Sequence, residues 1–110
     1  MDKSHRKDIV REYKEQTPRQ GIFAVRGGGR VWVSASRNLD KQQNQIWFGL
    51  RNGGFVNAAL QAAWTLVGEA AFAYEILEVV TDENPLLIPS LLKDREAHWR
   101  AKFGADKVFG

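Results

Sequence analysis

Cysteine is absent from this 110-residue chain. Disulfides, thiolate metal centres and cysteine nucleophiles are therefore excluded, and any metal must be held by oxygen or imidazole. No apolar run approaches the roughly eighteen residues a bilayer-spanning helix needs. The opening Met1-Asp2-Lys3-Ser4-His5 has no apolar signal region behind it. The expectation is a cytoplasmic protein with no membrane partner. Internal repeats are missing too, and the brief Gln42-Gln43-Asn44-Gln45 run is the nearest approach to low complexity.

What is present can build one core: 44% of residues are hydrophobic, with four Trp and six Phe. The net charge is only +3, but residues 1–51 hold 11 Lys and Arg against 5 Asp and Glu, while residues 52–110 hold 5 against 8. Clustered positive charge suits a polyanion-binding face, because neutralised phosphates release counterions. Ordinary solvated surface explains the same asymmetry equally well.

The spacing of Ile9, Val10 and Tyr13 predicts a charged accessory helix over Lys3–Gln16, ended by Thr17-Pro18-Arg19-Gln20. This divides the chain into an N-terminal helix at residues 1–18 and one domain at residues 19–110. From Gly21, Ile22–Val25 and Val31–Val33 read as a β-hairpin linked through Gly27-Gly28-Gly29. Those glycines, flanked by Arg26 and Arg30, could suggest a phosphate-cradling loop or an RGG-type segment. The link opens onto a strand and occurs once, which favours a plain turn.

Asn38 suits the N-cap of a helix over Leu39–Arg51 that turns Ile46, Trp47 and Leu50 inward. A second helix is predicted over Asn57–Val67, with Leu60, Trp64 and Val67 in an apolar stripe and Gly68 at its end. Ala71–Val80 reads as a central strand, with Glu75 and Glu78 on opposite faces. A last helix starts near Pro89 and stops at Phe103.

In that last helix Leu92, Glu96, Trp99 and Phe103 follow helical spacing, so Glu96 falls within an apolar stripe. A carboxylate there needs a partner, since burying it unpaired costs several kcal/mol or neutralises it. Three solutions remain open: a salt bridge to Arg100 or to a sheet arginine, partial exposure in a cleft, or ligation of a cation. His98 lies roughly 200° round the helix from Glu96 and reads as a surface residue.

Several of these segments resemble the GIY-YIG nuclease domain family. Gly21-Ile22-Phe23 is similar to the first signature and Val31-Trp32-Val33-Ser34-Ala35-Ser36-Arg37-Asn38-Leu39 to the second. Ala59–Trp64, Phe72–Glu78 and Asp94–Trp99 resemble the family's second helix, third strand and metal-carboxylate helix. The resemblance spans roughly residues 19–104. It implies an α/β domain of α+β type, with a small three-stranded antiparallel sheet flanked by helices. It also implies a DNA endonuclease using one Mg²⁺ or Mn²⁺ held by a single glutamate, at Glu96. One carboxylate is chemically reasonable, because such a cation keeps most of its waters.

The signatures are altered. Phe23 stands at the first tyrosine position and cannot relay a proton, and Trp32 at the second offers only an indole N–H. Ser34 replaces the signature glycine, and Gln42 occupies the expected arginine position. The resemblance then leaves two readings. In one, a divergent nuclease has reassigned the roles, with Glu96 on the metal and Trp32, Ser34, Arg37 and Gln42 lining the catalytic cleft. DNA, single- or double-stranded, would lie on Arg26, Arg30, Ser36, Arg37 and Lys41. In the other, the fold persists as a nucleic-acid-binding or protein-interaction module. Retention of Glu96 on an apolar face favours the first.

Overall fold

The computed structural model describes residues 18–109. The helix expected over Lys3–Gln16, and with it the division at residue 18, lies outside the described residues. The sheet has three antiparallel strands, β1 (Gly21–Gly27), β2 (Arg30–Ser36) and β3 (Ala73–Val79), in the order β2-β1-β3. Helices α1 (Leu39–Arg51) and α2 (Ala58–Val67) lie between β2 and β3 in sequence, and α3 (Ile88–Phe103) follows β3. This is the expected α+β arrangement. No helix among the described residues is long and apolar enough to cross a membrane.

Gly27 pairs with Arg30, so the hairpin closes on Gly28 and Gly29 alone, at φ 61° and 76°. Left-handed conformation at both central positions gives the turn whose twist matches its strands, and glycine adopts it without a Cβ penalty. The plain-turn reading therefore describes this segment. Asn38 and Asn57 cap α1 and α2 by accepting from the Lys41 and Leu60 amides.

The central strand is β1, not the predicted β3. Ile22–Val25 are fully buried because helices cover both faces of the sheet, whereas β3 pairs on one side only among the described residues. A β-bulge overturns a second expectation. Phe23 pairs with Ile76 and Ile22 with Glu78, leaving Leu77 as the extra residue. The slip brings Glu75 and Glu78 to the same face. Glu75 there meets Arg26 at 3.1 Å, and Glu78 accepts from Arg95 at 2.9 Å and from the Trp99 indole at 2.8 Å.

Two cores result. On one face Phe23, Val25 and Trp32 pack with Leu39, Ile46, Trp47, Leu50, Leu60 and Trp64 from α1 and α2. On the other, Ile22, Ala24 and Val33 pack with Leu92, Trp99 and Phe103 of α3. The segment after α3 runs along the outer edge of β2. The Val33 amide donates to the Asp106 carbonyl at 2.8 Å, and Val108 is fully buried in the first core. Covering that edge removes a row of unpaired donors that could template association.

Candidate functional site

Strand alternation decides which of the candidate residues can meet. In β2 the odd positions Val31, Val33 and Ala35 turn to the α3 core, and the even positions Trp32, Ser34 and Ser36 turn to the α1–α2 side. Trp32 is 1% exposed, stacked near Phe72 with ring centroids 6.3 Å apart. Ser34 is equally enclosed, its Oγ accepting from the Val108 amide at 2.9 Å. Neither lines a cleft, in contrast to the sequence expectation. Phe23 is buried beside them, stacked on Tyr74 at 5.2 Å.

Tyr74 puts a phenol next to the position that lacks one. Its hydroxyl donates to the Leu39 carbonyl at 2.8 Å, and burial pushes its pKa up to about 12. A phenol so placed is a structural donor, not a base near neutral pH.

Glu96 lies on the opposite side of β2. Its Oε2 accepts from the Ala35 amide at 3.2 Å, and its Oε1 is 4.0 Å from Lys107 Nζ. The side chain is 18% exposed. Val33 and Ala35 are two residues apart on an edge strand, so both amides point away from β1. One finds the Asp106 carbonyl and the other the Glu96 carboxylate. This gives the carboxylate in the apolar stripe a partner, and the partner is neither Arg100 nor a sheet arginine.

Glu96 also faces a groove of about 400 Å³ between the end of β2 and α3, lined by Ala35, Ser36, Arg37, Pro89, Leu92, Lys93, Ala97, Arg100 and Lys107. Four cationic side chains thus surround one carboxylate. Arg37 and Ser36 were anticipated from sequence. Gln42 is joined to the wall through Ser36, whose hydroxyl donates to its Oε1 at 2.7 Å and accepts from the Asn38 amide at 3.0 Å. Both partners of the Ser36 hydroxyl are therefore internal.

Lys93, Arg100 and Lys107 were missed. Lys93, Glu96 and Arg100 are spaced three and four apart, so their common helix face was visible in the sequence. Lys107 arrives only because the edge-covering segment folds back along β2. Lys41 is exposed on the first turn of α1, one residue before Gln42.

Arg26 and Arg30 do not join this site. They sit at the turn end of the hairpin, and Arg30 is six residues from Ser36, roughly 20 Å of strand. Both are also engaged. Arg26 pairs with Glu75 and lies over the Phe103 ring, while Arg30 pairs with Asp106 and lies over Trp32. His98 is exposed and packs edge-on to Trp99, away from Glu96.

No protein-family model matches the chain, and no curated protein matches it. Two solved structures share its architecture. One is the catalytic domain of intron endonuclease I-TevI carrying a point mutation, with TM-score 0.68 and 22% identity, covering 84% of this chain and 99% of that one. The other is described as the catalytic domain of homing endonuclease I-TevI, with TM-score 0.65 and 21% identity, covering 77% and 88%. The strand order, the helix placement and these two superpositions together establish that the chain has a GIY-YIG-like fold.

Proposed function

We propose that this domain is a divalent-metal-dependent DNA phosphodiester hydrolase working in the groove between β2 and α3. The observation that carries the reading is Glu96 standing, among the described residues that line the groove, as the one carboxylate beside Arg37, Lys93, Arg100 and Lys107. Such a wall attracts a phosphate strand while leaving one hard oxygen ligand for a cation.

The residues suit Mg²⁺ or Mn²⁺. The Ala35 amide fixes the orientation of Glu96, and Oε1, 4.0 Å from Lys107 Nζ, is not taken up by a hydrogen bond to that lysine. Among the described residues no cluster of three His, Asp or Glu could make a closed metal cage. A single carboxylate supplemented by water and substrate phosphate matches Mg²⁺ chemistry. When bound, the cation would supply charge stabilisation at the phosphate oxygens. Glu96 would hold and orient it, Arg37 and Lys93 would bind flanking phosphates, and Ser36 would keep Gln42 and the start of α1 in place.

The alternative, a DNA-binding module without hydrolysis, is favoured by one feature. Among the described residues lining the groove there is no histidine or tyrosine to relay a proton. Incubating purified protein with single- and double-stranded DNA and Mg²⁺ or Mn²⁺, wild type beside Glu96→Gln, separates the two. Cleavage by wild type and its loss in the variant supports the hydrolase. Salt-sensitive binding without cleavage establishes the module, and equal cleavage by both proteins removes Glu96 from the chemistry.

A further inference from the structure

The side chain of Asn57 does two jobs at once. Its Oδ1 caps α2 by accepting from the Leu60 amide at 3.1 Å, and its Nδ2 donates to the carbonyls of Lys107 at 2.9 Å and Val108 at 3.2 Å. These partners fix the orientation of the amide, because an N–H needs its oxygen and two carbonyls need its nitrogen. Aspartate and serine cap a helix about as well as asparagine, but the second job needs the two amide hydrogens. Capping alone therefore does not account for asparagine at this position.

The bonds reach the edge of the sheet. In the segment after α3, the Asp106 carbonyl accepts from the Val33 amide and the Val108 amide donates to Ser34 Oγ, so the segment lies along β2 much as an added strand would. Side chains alternate along such a segment. Val108 turns into the α1–α2 core, and Lys107 turns to the α3 side, where it lines the groove with its Nζ 4.0 Å from Glu96 Oε1. Val108 is anchored by its own burial, whereas the Lys107 side chain is half exposed and its carbonyl is held by Asn57. We infer that Asn57 is a positioning residue of the groove. From the α1–α2 side of the sheet it fixes the backbone that carries Lys107 to Glu96 on the other side. That the groove holds nucleic acid rests on the reading above, but the connection from Asn57 to Glu96 does not.

The test separates the two jobs. Asn57→Ser keeps a capping oxygen but has no amide to reach the two carbonyls, and Asn57→Asp, of the same shape, also caps and lacks both hydrogens. In hydrogen exchange followed by NMR, either variant should accelerate the Val108 amide by about tenfold while leaving Leu60 as protected as in wild type. The groove is read at the Ala35 amide, which donates to Glu96 Oε2. Lys107→Gln should shift its resonance, Asn57→Ser should shift it in the same direction by a smaller or equal amount, and the double variant should go no further than Lys107→Gln. Residues that act through one another give such non-additive pairs.

The inference is overturned by a wild-type Ala35 resonance in Asn57→Ser, by additive shifts in the double variant, or by Lys107→Gln leaving Ala35 unmoved. Loss of protection at Leu60 equal to that at Val108 would overturn it too, since Asn57 would then act through the α2 cap. Binding of a short fluorescein-labelled oligonucleotide in EDTA adds a functional arm. Lys107→Gln should weaken it about twofold to fivefold, the size of one exposed charge contact, and lower the salt slope by about one. Asn57→Ser should weaken it by no more than that, with no added loss in the double variant, and independent losses would count against the inference. If wild type neither binds nor cleaves, the proposed function falls, and the Ala35 pattern still decides the role of Asn57.

Discussion

The carboxylate of Glu96 takes the outward-pointing amide of Ala35 at 3.2 Å, so one side chain both seals the open edge of β2 and turns its second oxygen to a cationic groove. The two roles are separable by substitution, because glutamine keeps an acceptor oxygen and loses the charge.

Glu96→Ala should lower folding stability by about 1–2 kcal/mol, since it leaves the part-buried Ala35 amide without an acceptor. Glu96→Gln should stay within about 0.5 kcal/mol of wild type. Urea unfolding of the three proteins measures the difference. Identical midpoints for Glu96→Ala and wild type would show that the edge contact contributes nothing.

The Ser34 hydroxyl holds the segment after α3 through the Val108 amide. Ser34→Ala should cost about 1–3 kcal/mol, because a fully buried N–H loses its acceptor. Hydrogen exchange at Val108 should accelerate more than at Leu60 or Ile46 in the α1–α2 core. Unchanged protection at Val108 would show that burial of its side chain alone secures the segment.

Tyr74 should ionise near pH 12 instead of near 10, because burial disfavours the phenolate. A group whose folded pKa is raised contributes stability that is complete below its unfolded pKa and is lost as pH rises through the folded value. Wild type should therefore lose stability between pH 10 and 12. Tyr74→Phe should remove that part of the alkaline loss while costing about 1 kcal/mol at neutral pH for the missing bond to Leu39. Thermal melts across that range, with ultraviolet titration of the phenol, check both parts.

Glu78 titrates in the other direction. Burial works against its ionisation, but the Trp99 indole and the Arg95 guanidinium outweigh it and hold the carboxyl below 4.5. A depressed folded pKa gives stability that is present above the unfolded value and lost as pH falls through the folded one. Melting temperature should thus decline as pH drops below 4.5. In Glu78→Gln the neutral-pH melting temperature should be lower and the acid decline shallower, and parallel curves would rule the pair out as a contributor.

Much of the fold was legible because local chemistry specified it. Gly28 and Gly29 permit the one turn geometry that closes this hairpin, and Asn38, Asn57 and Gly68 mark helix ends through backbone groups within three or four residues. The Leu92, Trp99 and Phe103 stripe assigned the buried face of α3. The position of β3 was misread because an apolar, aromatic-rich strand resembles a central one until the pairing is known. The bulge at Leu77 was hidden for the same reason, being a property of two strands and not of one.

The site was legible in part. Glu96, Ser36 and Arg37 were named from sequence and do meet at one groove. Trp32 and Ser34 do share a face of β2 with Ser36, but within the strand that face is closed by the α1–α2 core and the segment after α3, and only Ser36, the last residue of β2, borders the groove. Charge misled more. The front half of the chain carries the surplus of Lys and Arg, but Arg26 and Arg30 are paired to Glu75 and Asp106. Three of the four cations in the groove come from the half with net negative charge.

By itself the sequence determined the elements, their caps and turns, and the isolation of one carboxylate in an apolar stripe. These depend on contacts a few residues apart and on periodicity, which any stretch of chain displays. Tertiary structure alone decided which oxygen of Glu96 is spent on Ala35, which arginines are neutralised and where Lys107 arrives. Those outcomes depend on residues 49 to 76 positions apart being brought within hydrogen-bond reach, as Arg26 and Glu75, Ala35 and Glu96, and Arg30 and Asp106 are.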